Sequence, residues 1–597
     1  MSIRQTLCPA ARAHDRYEVW APAAREVSIR IDGVEHAMSA ADGGWFRLPG
    51  VPAHAGARYA FRLDQGELWL PDPRSLSQPE GVHADSEVVD PRTLRGGSPW
   101  AGLDLRGKVL YELHVGTFTP GPEGRGGSFD SAIEKLDELA ALGVDAVELL
   151  PVAAFPGERG WGYDGVGMYA VHAGYGGPQG LARFVDAAHE RGLAVLLDVV
   201  HNHLGPAGNY LGMFGPYFTQ EHETPWGAAV NLDQPGSREV RDFLLGSVRQ
   251  WLVEFGIDGL RLDAVHELRD DSGRHYLAEL ADTVAGWSEA VGRPLTLIAE
   301  SDRNQPATVS PTFADGLGMD MQWADDVHHG VHAWITGERA GYYGDFGSAE
   351  ALATVLERVF LHAGTFSTFR GRSWGAPVDL ASPHYDGHSF VTFLQNHDQV
   401  GNRAAGDRIH AGLEPGRHAA AIALILLGPG TPMLFQGEEW AASSAFAFFT
   451  DHDGELGELV STGRAREFAA MGWDQTVPDP QARSTFESSL LCWEERGQGA
   501  HARMLQWYRT LIGLRREQAD LRDPNLQRTS LEVLAEETVL LHRGGLAVLA
   551  HRGPGPTADG PHAAEVLAAF GDLEQTADGA LALRGPGAAV LRPALDS

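Results

Sequence analysis

Between Leu105 and about Gln518, short apolar runs alternate with longer stretches whose apolar residues recur every three or four positions. The first pattern is typical of parallel strands buried on both faces, and the second of helices that cover such a sheet. Eight apolar runs is the number that a closed (β/α)8 barrel needs. We therefore predict an α/β chain built on a (β/α)8 TIM barrel, with its strands in the runs 109–118, 144–152, 193–203, 259–265, 296–301, 318–326, 390–398 and 431–440.

Helices are expected between these runs, for example at 129–141, 180–191 and 238–255. The repeating part spans roughly 107–515, which exceeds the ~250 residues typical of such barrels. Long loops must therefore be inserted after some strands. The largest insertions are expected after the third and the sixth runs, at 204–237 and 341–388.

Shorter runs with alternating apolar and polar residues lie on both sides of the barrel region. Glycine, proline and aspartate separate them, a pattern typical of small β-sandwiches. The runs are EVSIRID (26–32), RYAFRL (58–63) and ELWL (67–70) before the barrel, and ETVLLHR (537–543) and LAVLAHR (546–552) after it. We predict an N-terminal β-sandwich similar to a carbohydrate-binding module, the catalytic barrel and a C-terminal β-sandwich, at 1–104, 105–520 and 521–597.

The charge of the chain excludes several classes of partner. Its 597 residues contain 47 lysines and arginines against 80 aspartates and glutamates, a net charge of −33. Such a field repels nucleic acid and anionic lipid, whereas an uncharged sugar feels no penalty. The apolar stretch 419–435 is interrupted by glycines and prolines and cannot cross a bilayer. We expect no nucleic-acid partner and no membrane association.

Cysteine and lysine usage narrows the chemistry further. Cys8 and Cys492 stand far apart, and the first residues contain no apolar segment of the signal-peptide kind. We expect two free thiols and a cytoplasmic protein. Only Lys108 and Lys135 are lysines, and neither follows a glycine-rich phosphate-binding loop, which excludes a P-loop enzyme.

Polar residues cluster where the predicted strands end. Asp198 and the segment 201–203 end the third run, Arg261 and Asp263 lie in the fourth, Glu300 ends the fifth, and 396–398 end the seventh. Barrel enzymes carry their chemistry at the carboxyl ends of the strands, and a buried acid is costly unless it is paired or functional. These residues are therefore expected to form one site.

Three carboxylates, Asp263, Glu300 and Asp398, fit glycoside hydrolysis better than any other common chemistry. Arg261 would favour the ionised form of Asp263, which could then attack a sugar carbon. Burial and nearby negative charge would raise the pKa of Glu300 toward that of a proton donor. Neighbouring strands favour the separation of a retaining enzyme, about 5–5.5 Å. A single aspartate at a strand end more often anchors a loop, and Asp198 is assigned to that class, holding Arg261 or the loop.

Metal ligation and aromatic stacking are weaker signals. The histidines at 201–203 and 325–332 lack the spacing of a zinc helix and any cysteine cluster, so they are interpreted as a helix face and as substrate contacts. We predict no metal and no other cofactor. Sugar rings stack on aromatic faces, although loop packing explains any single one of these equally well: Trp161, Tyr163, Tyr210, Phe218, Trp226, Trp323 and Trp440.

Four of these segments also carry a family resemblance. DVVHNH (198–203), GLRLDAVHE (259–267), LIAES (297–301) and FLQNHD (393–398) resemble, in order, the four sequence regions of the α-amylase superfamily, glycoside hydrolase family 13. The resemblance implies that Asp263 is the nucleophile, Glu300 the general acid/base and Asp398 the residue that binds sugar hydroxyls in the transition state. It also implies that the −1 sugar subsite is lined by Tyr163, His203, Arg261 and His397.

This chain departs from the α-amylase pattern directly after the nucleophile. α-Amylases usually have a Lys-His pair there, whereas this chain has His266 and Glu267. These side chains would face the sugars of the leaving group, so ordinary α-amylase activity is in doubt and His266 is expected to contact substrate. The resemblance also allows a Ca²⁺ ion at Asn202, but no acidic cluster flanks it, and we predict none.

Five longer segments, 70–83, 216–233, 299–306, 322–347 and 437–452, resemble the maltooligosyltrehalose trehalohydrolase family. That resemblance implies hydrolysis of the α-1,4 bond next to a terminal trehalose unit of an α-glucan oligosaccharide. Trehalose and a shortened maltooligosaccharide would be released, and a maltooligosyltrehalose synthase would be a functional partner without implied physical contact. The trehalosyl end would occupy subsites +1 and +2, shaped with the help of Trp323, Asp325, Gln399 and Arg403.

Three alternatives remain at this stage. A glycogen branching or debranching enzyme would share the fold and the three carboxylates and would differ in the product released. A catalytically inactive glucan-binding protein would be unaffected by replacement of Asp263 or Glu300. A metal-dependent hydrolase would lose activity in chelator.

Overall fold

A computed structural model describes residues 16–94, 99–122, 125–470, 477–557, 560–577 and 579–594. Eight parallel strands close into a barrel in chain order, and Met433 of the last strand pairs with Leu110 of the first. The predicted (β/α)8 barrel is therefore confirmed, and each strand lies within one of the eight apolar runs. The strands are β1 Leu110–Leu113, β2 Ala146–Leu149, β3 Ala194–Val199, β4 Gly259–Leu262, β5 Thr296–Ala299, β6 Met321–Trp323, β7 Phe390–Phe393 and β8 Thr431–Phe435.

The interior of the barrel has an apolar layer below a polar layer. Leu110, Ala146 and Leu196 belong to the apolar cluster inside the barrel. Because side chains on one face of a strand recur every second residue, Glu112, Glu148 and Asp198 project to the same interior face, one step nearer the carboxyl ends. All six are buried. The sequence thus places acids inside the barrel at its functional end.

Helices follow most of the strands and bury one face against the barrel. The helix predicted at 129–141 is two helices, Phe129–Ile133 and Leu136–Leu142, and the helix predicted at 238–255 becomes a π-helical turn, Gln250–Glu254, before Gly256 ends it with φ +79°. The other α-helices are Val115–Phe118, Gly177–Glu190, Leu211–Phe214, Ser237–Arg249, Tyr276–Val291, Asp325–Thr336, Ala349–Arg358, His397–Gly401, Pro415–Leu426, Gly454–Ala470, Arg483–Glu487 and Gly499–Glu517.

Insertions follow β3 and β6, as predicted. The first contains the hairpin Phe218–Thr224 with Gly227–Val230, and the second contains the hairpin Thr365–Ser367 with Arg372–Trp374. A small hairpin, Ala153–Ala154 with Gly167–Val171, follows β2. A long segment between β8 and the helix at Gly499 is a further insertion that the sequence pattern did not reveal.

Two antiparallel sheets precede the barrel. Strands Val27–Ile31 and Arg58–Leu63 confirm two of the three predicted runs. The strand predicted at 67–70 is wrong: Leu70 forms only a single bridge with Phe61, and the proline that follows has no N–H to continue a ladder. The remaining strands are Arg16–Trp20, Val34–Ala37, Ser39–Ala40, Trp45–Pro52 and Ser86–Glu87.

A five-stranded antiparallel sheet and a separate hairpin follow the barrel, where a C-terminal β domain was predicted. The sheet order is Thr529–Ala535, Thr538–Arg543, Leu546–His551, Gly587–Pro593 and Ala563–Phe570, and the hairpin is Leu573–Gln575 with Leu581–Leu583. The domain boundaries at 104/105 and 520/521 stay predictions. Among the described residues, no helix has the length and apolarity required to span a bilayer.

Candidate active site

Arg261, on β4, is the centre of the polar layer. Its side chain is 0% exposed, and Nη1 donates to Asp198 Oδ2 at 2.7 Å and to Asp263 Oδ1 at 3.0 Å. Nη2 lies 3.8 Å from Glu300 Oε2, and the guanidinium carbon lies 4.1 Å from the ring centre of Trp323. A buried guanidinium is costly unless several carboxylates compensate it. Arg261 therefore connects β3, β4 and the end of β5 in one site. Its hydrogen bond to Asp198 confirms the prediction that Asp198 holds Arg261.

Asp263 is held on both carboxylate oxygens. Arg261 donates to Oδ1, and Asn202 Nδ2 donates to Oδ2 at 2.9 Å and to the Asp263 carbonyl oxygen at 2.8 Å. The next residue, Ala264, has φ +38°, a left-handed conformation that is uncommon for alanine. This turn directs the Ala264 N–H to Glu300 Oε2 at 2.5 Å. The backbone after the fourth strand thus links the two catalytic candidates.

Glu300 lies in surroundings that favour its neutral form. Burial raises its pKa well above the ordinary value, the carboxylates of Asp263, Asp325 and Asp398 raise it further, and Arg261 opposes them. Because Oε2 accepts the Ala264 N–H, a proton on Glu300 resides on Oε1. This is the arrangement of a general acid, in the direction that the sequence predicted.

Asp398 and His397 begin the short helix His397–Gly401 after β7. Asp398 has a side chain 40% exposed, accepts a hydrogen bond from Asn402 Nδ2 at 3.1 Å, and has Oδ2 3.5 Å from His397 Nε2. The His397 ring is buried and stacks on Tyr163 with ring centres 5.0 Å apart. The third carboxylate is thus the most open to a substrate.

Tyr163 and His203 complete one wall of the site. The Tyr163 hydroxyl donates to Asp198, and the Tyr163 carbonyl oxygen lies 3.0 Å from His203 Nε2. The His203 ring stacks on Trp226 with ring centres 4.3 Å apart, and burial lowers its pKa, which favours the neutral form. The structure therefore brings the four residues expected at the −1 subsite together with all three carboxylates.

A cavity of about 580 Å³ opens beside this wall. Its volume is in the range of sites that enclose small ligands. Three loops build it, those after β2, β3 and β8, and its lining includes Trp161, Tyr163, Asp164, His203, Phe218, Trp226, Phe448, Thr450 and His452.

Sequence reasoning missed the part of this lining that comes from the insertion after β8. His452 Nε2 lies 3.3 Å from Asp164 Oδ2, and Phe448 packs on Trp161 with ring centres 5.2 Å apart. The only available signal was the density of aromatic residues at 446–449, which no periodicity links to a barrel strand.

The insertion after β6 carries exposed aromatic side chains. Phe369, at the tip of the hairpin after β6, is 58% exposed and packs edge-on against Tyr342, which is 36% exposed. Asp302 connects this hairpin to the site, because Arg370 Nη2 donates to its Oδ2 at 2.7 Å and its Oδ1 lies 3.8 Å from His266 Nε2. The predicted contact His266 is therefore linked through Asp302 to the hairpin, whose aromatic surface the sequence reasoning did not name.

The four residues expected to shape subsites +1 and +2 differ in burial and in their contacts. Asp325 begins the helix Asp325–Thr336, and burial, then Asp398 and Asp326, raise its pKa to about 7. Trp323 is 1% exposed and lies against Arg261. Arg403 donates to Asp407 at 2.8 Å and to Glu338 at 3.1 Å, and Gln399 is half-buried with its N–H donated to Asn396. Of these four residues, Asp325 is the one whose charge raises the pKa of Glu300.

Two buried acids at the base of the site were also missed. Glu112 on β1 and Glu148 on β2 pair in register, and both are 1% exposed. Glu112 Oε1 accepts from His397 Nδ1 at 2.6 Å, and Oε2 accepts the His397 N–H at 2.9 Å. The signal was present in the sequence, since each acid interrupts an otherwise apolar run.

The residues considered for a cation make direct contacts with other protein groups. The Asn202 amide nitrogen is directed at Asp263, and its oxygen contacts His203 Nδ1. His328 Nδ1 contacts the Leu394 carbonyl oxygen at 2.8 Å, and His332 Nε2 contacts Glu338 at 2.9 Å. These rings are held by the protein itself.

Comparison with known proteins agrees with this geometry. Residues 96–213 match the family model for the alpha amylase catalytic domain. The chain is 49% identical to a malto-oligosyltrehalose trehalohydrolase of Arthrobacter ramosus, over 97% of this chain and 99% of that protein, and 47% identical to one of Rhizobium sp. (strain M-11), over 93% and 94%. The chain belongs to the malto-oligosyltrehalose trehalohydrolase family.

The fold comparison agrees with the family. A crystal structure of a putative alpha amylase from Salmonella typhimurium superimposes with a TM-score of 0.87 at 36% sequence identity, and the match covers 97% of each chain. A trehalohydrolase is a glycoside hydrolase, so the closed barrel with acids at its carboxyl end is the catalytic fold of this family.

Proposed function

We propose that this chain hydrolyses, with retention, the α-1,4-glucosidic bond next to the terminal trehalose unit of maltooligosyltrehalose, releasing trehalose and a maltooligosaccharide. The observation that carries the proposal is the convergence of Asp263 and Glu300 on one buried guanidinium, that of Arg261. The relatives named for trehalohydrolase activity supply the substrate.

The two acids divide the reaction between them. Protonated Glu300 gives its proton to the glycosidic oxygen while Asp263 attacks the anomeric carbon, so the trehalosyl group leaves and a glucosyl ester forms on Asp263. Deprotonated Glu300 then takes a proton from a water molecule, which attacks the same carbon and frees Asp263. Two inversions give net retention. Asn202 and Arg261 hold Asp263 so that one carboxylate oxygen can reach the sugar.

The surrounding residues bind the ring at which the bond breaks. Asp398, the most exposed of the three acids, accepts hydrogen bonds from the sugar hydroxyls, and the Tyr163 ring provides an aromatic face. His397 Nε2 lies 3.5 Å from Asp398 Oδ2, where it can donate to a hydroxyl of the sugar. Trp323 acts through Arg261, since its ring is covered by the guanidinium and has no exposed face for a sugar.

We assign the two ends of the substrate to two surfaces that differ in shape. The cavity of about 580 Å³ beside Tyr163 suits the maltooligosaccharide part. The surface formed by His266, Tyr342 and Phe369 suits the compact trehalosyl end, because exposed aromatic faces stack on sugar rings. Asp325 completes this side, whereas the side-chain contacts of Arg403 are with Glu338 and Asp407.

A substrate panel tests the proposal. Maltooligosyltrehalose, the plain maltooligosaccharide of equal length and a branched glucan are each incubated with the protein, and the products are separated by chromatography. We expect free trehalose from the first substrate and slow or no cleavage of the others. Glucan transfer, or release of linear chains from the branched glucan, would instead establish a branching or debranching enzyme.

Two further proposals concern the setting of the reaction. We propose that a maltooligosyltrehalose synthase provides the substrate as a functional partner, and that the chain works in the cytoplasm, in line with its two cysteines. Addition of purified synthase to a reaction on maltooligosaccharide should give trehalose only when both proteins are present. Fractionation of cells should recover the chain with cytoplasmic markers.

A further inference from the structure

Glu112 and Glu148 are neighbouring buried acids with different surroundings. They pair in register on β1 and β2 and are equally buried. Both Glu112 oxygens accept hydrogen bonds from His397, whereas neither Glu148 oxygen has a hydrogen-bond partner among the described residues. Glu112 is therefore hydrogen-bonded to a residue of the site, whereas Glu148 is not.

The Glu112 contacts restrict both the orientation and the protonation of His397. A carboxylate oxygen 2.6 Å from Nδ1 requires a hydrogen on Nδ1, and the second oxygen fixes the backbone N–H of the same residue. Nε2 then faces Asp398 Oδ2 at 3.5 Å, which is also an acceptor. An imidazole placed between two carboxylates is most stable with hydrogens on both nitrogens.

The aromatic neighbours leave the ring little freedom. Tyr163 stacks on it, Trp161 meets it edge-on with ring centres 5.6 Å apart, and Trp323 lies 6.0 Å away on the barrel floor. Without Glu112, these neighbours would still hold the ring in place. They would not hold a hydrogen on Nδ1.

We propose that Glu112 is a positioning residue of the sugar-binding site, holding His397 as an imidazolium whose Nε2–H points at Asp398 and at the hydroxyls of the sugar undergoing cleavage. This deepens the proposed function and rests on it for the identity of that sugar. The charge of His397 would then strengthen its hydrogen bond to the substrate and keep Asp398 ionised.

The charged groups around His397 agree with this assignment. Burial alone would lower the pKa of His397, but Asp398 and Glu112 outweigh it and raise the pKa to about 9, against an opposing contribution from Arg261. The other titratable groups that face it are Glu148, Asp198 and His114, from β2, β3 and the end of β1. Burial and then Glu112 raise the pKa of Glu148 well above its ordinary value, which favours its uncharged form.

The test compares Glu112→Gln with Glu148→Gln as a matched control. Glutamine resembles a protonated glutamate in shape and charge, so Glu148→Gln should change kcat/KM less than about threefold. Glu112→Gln removes the charge that holds His397 and should lower kcat/KM by roughly 10- to 100-fold, the usual range for a hydrogen bond to a charged group. Equal effects of the two substitutions would overturn the proposal.

A double-mutant cycle separates positioning from a structural role. If Glu112 acts through His397, then Glu112→Gln should have little further effect in a His397→Asn background. A role in barrel stability alone would give the same loss in both backgrounds and a matching fall in Tm, and would contradict the proposal.

The pH profile supplies the independent readout. Activity that needs charged His397 is lost as the pH rises through its pKa, so removal of Glu112 should move the basic limb of kcat/KM toward lower pH. Protonated Glu300 is lost in the same direction, so the limb of Glu112→Gln is compared with that of Glu148→Gln, and the same limb in both variants would contradict the proposal. All variants are assayed on whichever glucan the unaltered protein cleaves. An error in the trehalose assignment would then appear in the substrate panel. An error in the Glu112 assignment would appear only in the double-mutant cycle and the pH profile.

Discussion

Two parts of the proposed active site, the barrel strands and the hairpin after β6, are built by different means. On the barrel side, Asp198, Arg261 and Asp263 are joined by direct hydrogen bonds within the polar layer. On the hairpin side, Tyr342 and Phe369 are exposed and come from an insertion. In the proposed function, the barrel strands carry the chemistry, which needs fixed charges, and the inserted hairpin contributes to the choice of substrate.

The largest effect is expected on the barrel side from removal of a reacting group. Asp263→Asn and Glu300→Gln should each lower kcat by roughly 10⁴- to 10⁶-fold, because no neighbouring group can take over attack or proton donation. Single-turnover kinetics on maltooligosyltrehalose measure this. Far-UV circular dichroism and Tm close to those of the unaltered protein serve as the folding control. A catalytically inactive glucan-binding protein would show no change in either variant.

Arg261→Met should be the most costly of the substitutions for stability. It leaves Asp198, Asp263 and Glu300 close together without their cation, and loss of one partner from a buried charge pair typically costs about 3–5 kcal/mol of unfolding free energy. Arg403→Met is the matched control: Arg403 also contacts two acids but is 23% exposed. Its removal should cost about 1 kcal/mol or less. Urea unfolding compares the two, and equal costs would contradict the comparison.

On the hairpin side, Phe369→Ala should change selectivity and leave the chemistry intact. Loss of one aromatic contact is expected to reduce kcat/KM for maltooligosyltrehalose by about tenfold, at the upper end of what a single aromatic pair contributes. The value for plain maltooligosaccharide should change less. Phe313→Ala, at a surface residue 82% exposed, is the control. If both substrates lost activity equally after Phe369→Ala, the hairpin would not select the trehalosyl end.

The smallest effect is expected for Asp325, a charge that acts on Glu300. Asp325 raises the pKa of Glu300, so Asp325→Asn should lower that pKa. A general acid is lost as the pH rises through its pKa, and the basic limb of the kcat profile should therefore move toward lower pH, by less than about one unit for a single charge. Movement in the opposite direction would show that Asp325 does not act on Glu300 through its charge.

The sequence was sufficient for the barrel and for the acids at its strand ends. Continuous apolar runs such as 193–203 can be satisfied only in a sheet covered on both faces, and Asp263, Glu300 and Asp398 lie within or at the end of such runs. The contacts of Arg261 with Asp198 and Asp263 followed from the same reasoning, because a buried cation needs acids nearby.

The insertions could not be predicted in the same way. Phe369 and His452 come from loops whose course depends on packing against other loops, and no periodicity links them to a strand. Trp323 was expected to contact a sugar because it is an aromatic residue at a strand end. The strand directs its ring inward, where Arg261 covers it. Glu112 was overlooked because it lies within a run and not at its end.

The most direct test of the account is proton NMR of the products of maltooligosyltrehalose cleavage, recorded in the first minutes before the sugar anomers equilibrate. The account predicts free trehalose together with a maltooligosaccharide whose new reducing end is the α-anomer. A β-anomer would contradict the double displacement by Asp263 and Glu300, and an absence of trehalose would contradict the proposed bond specificity.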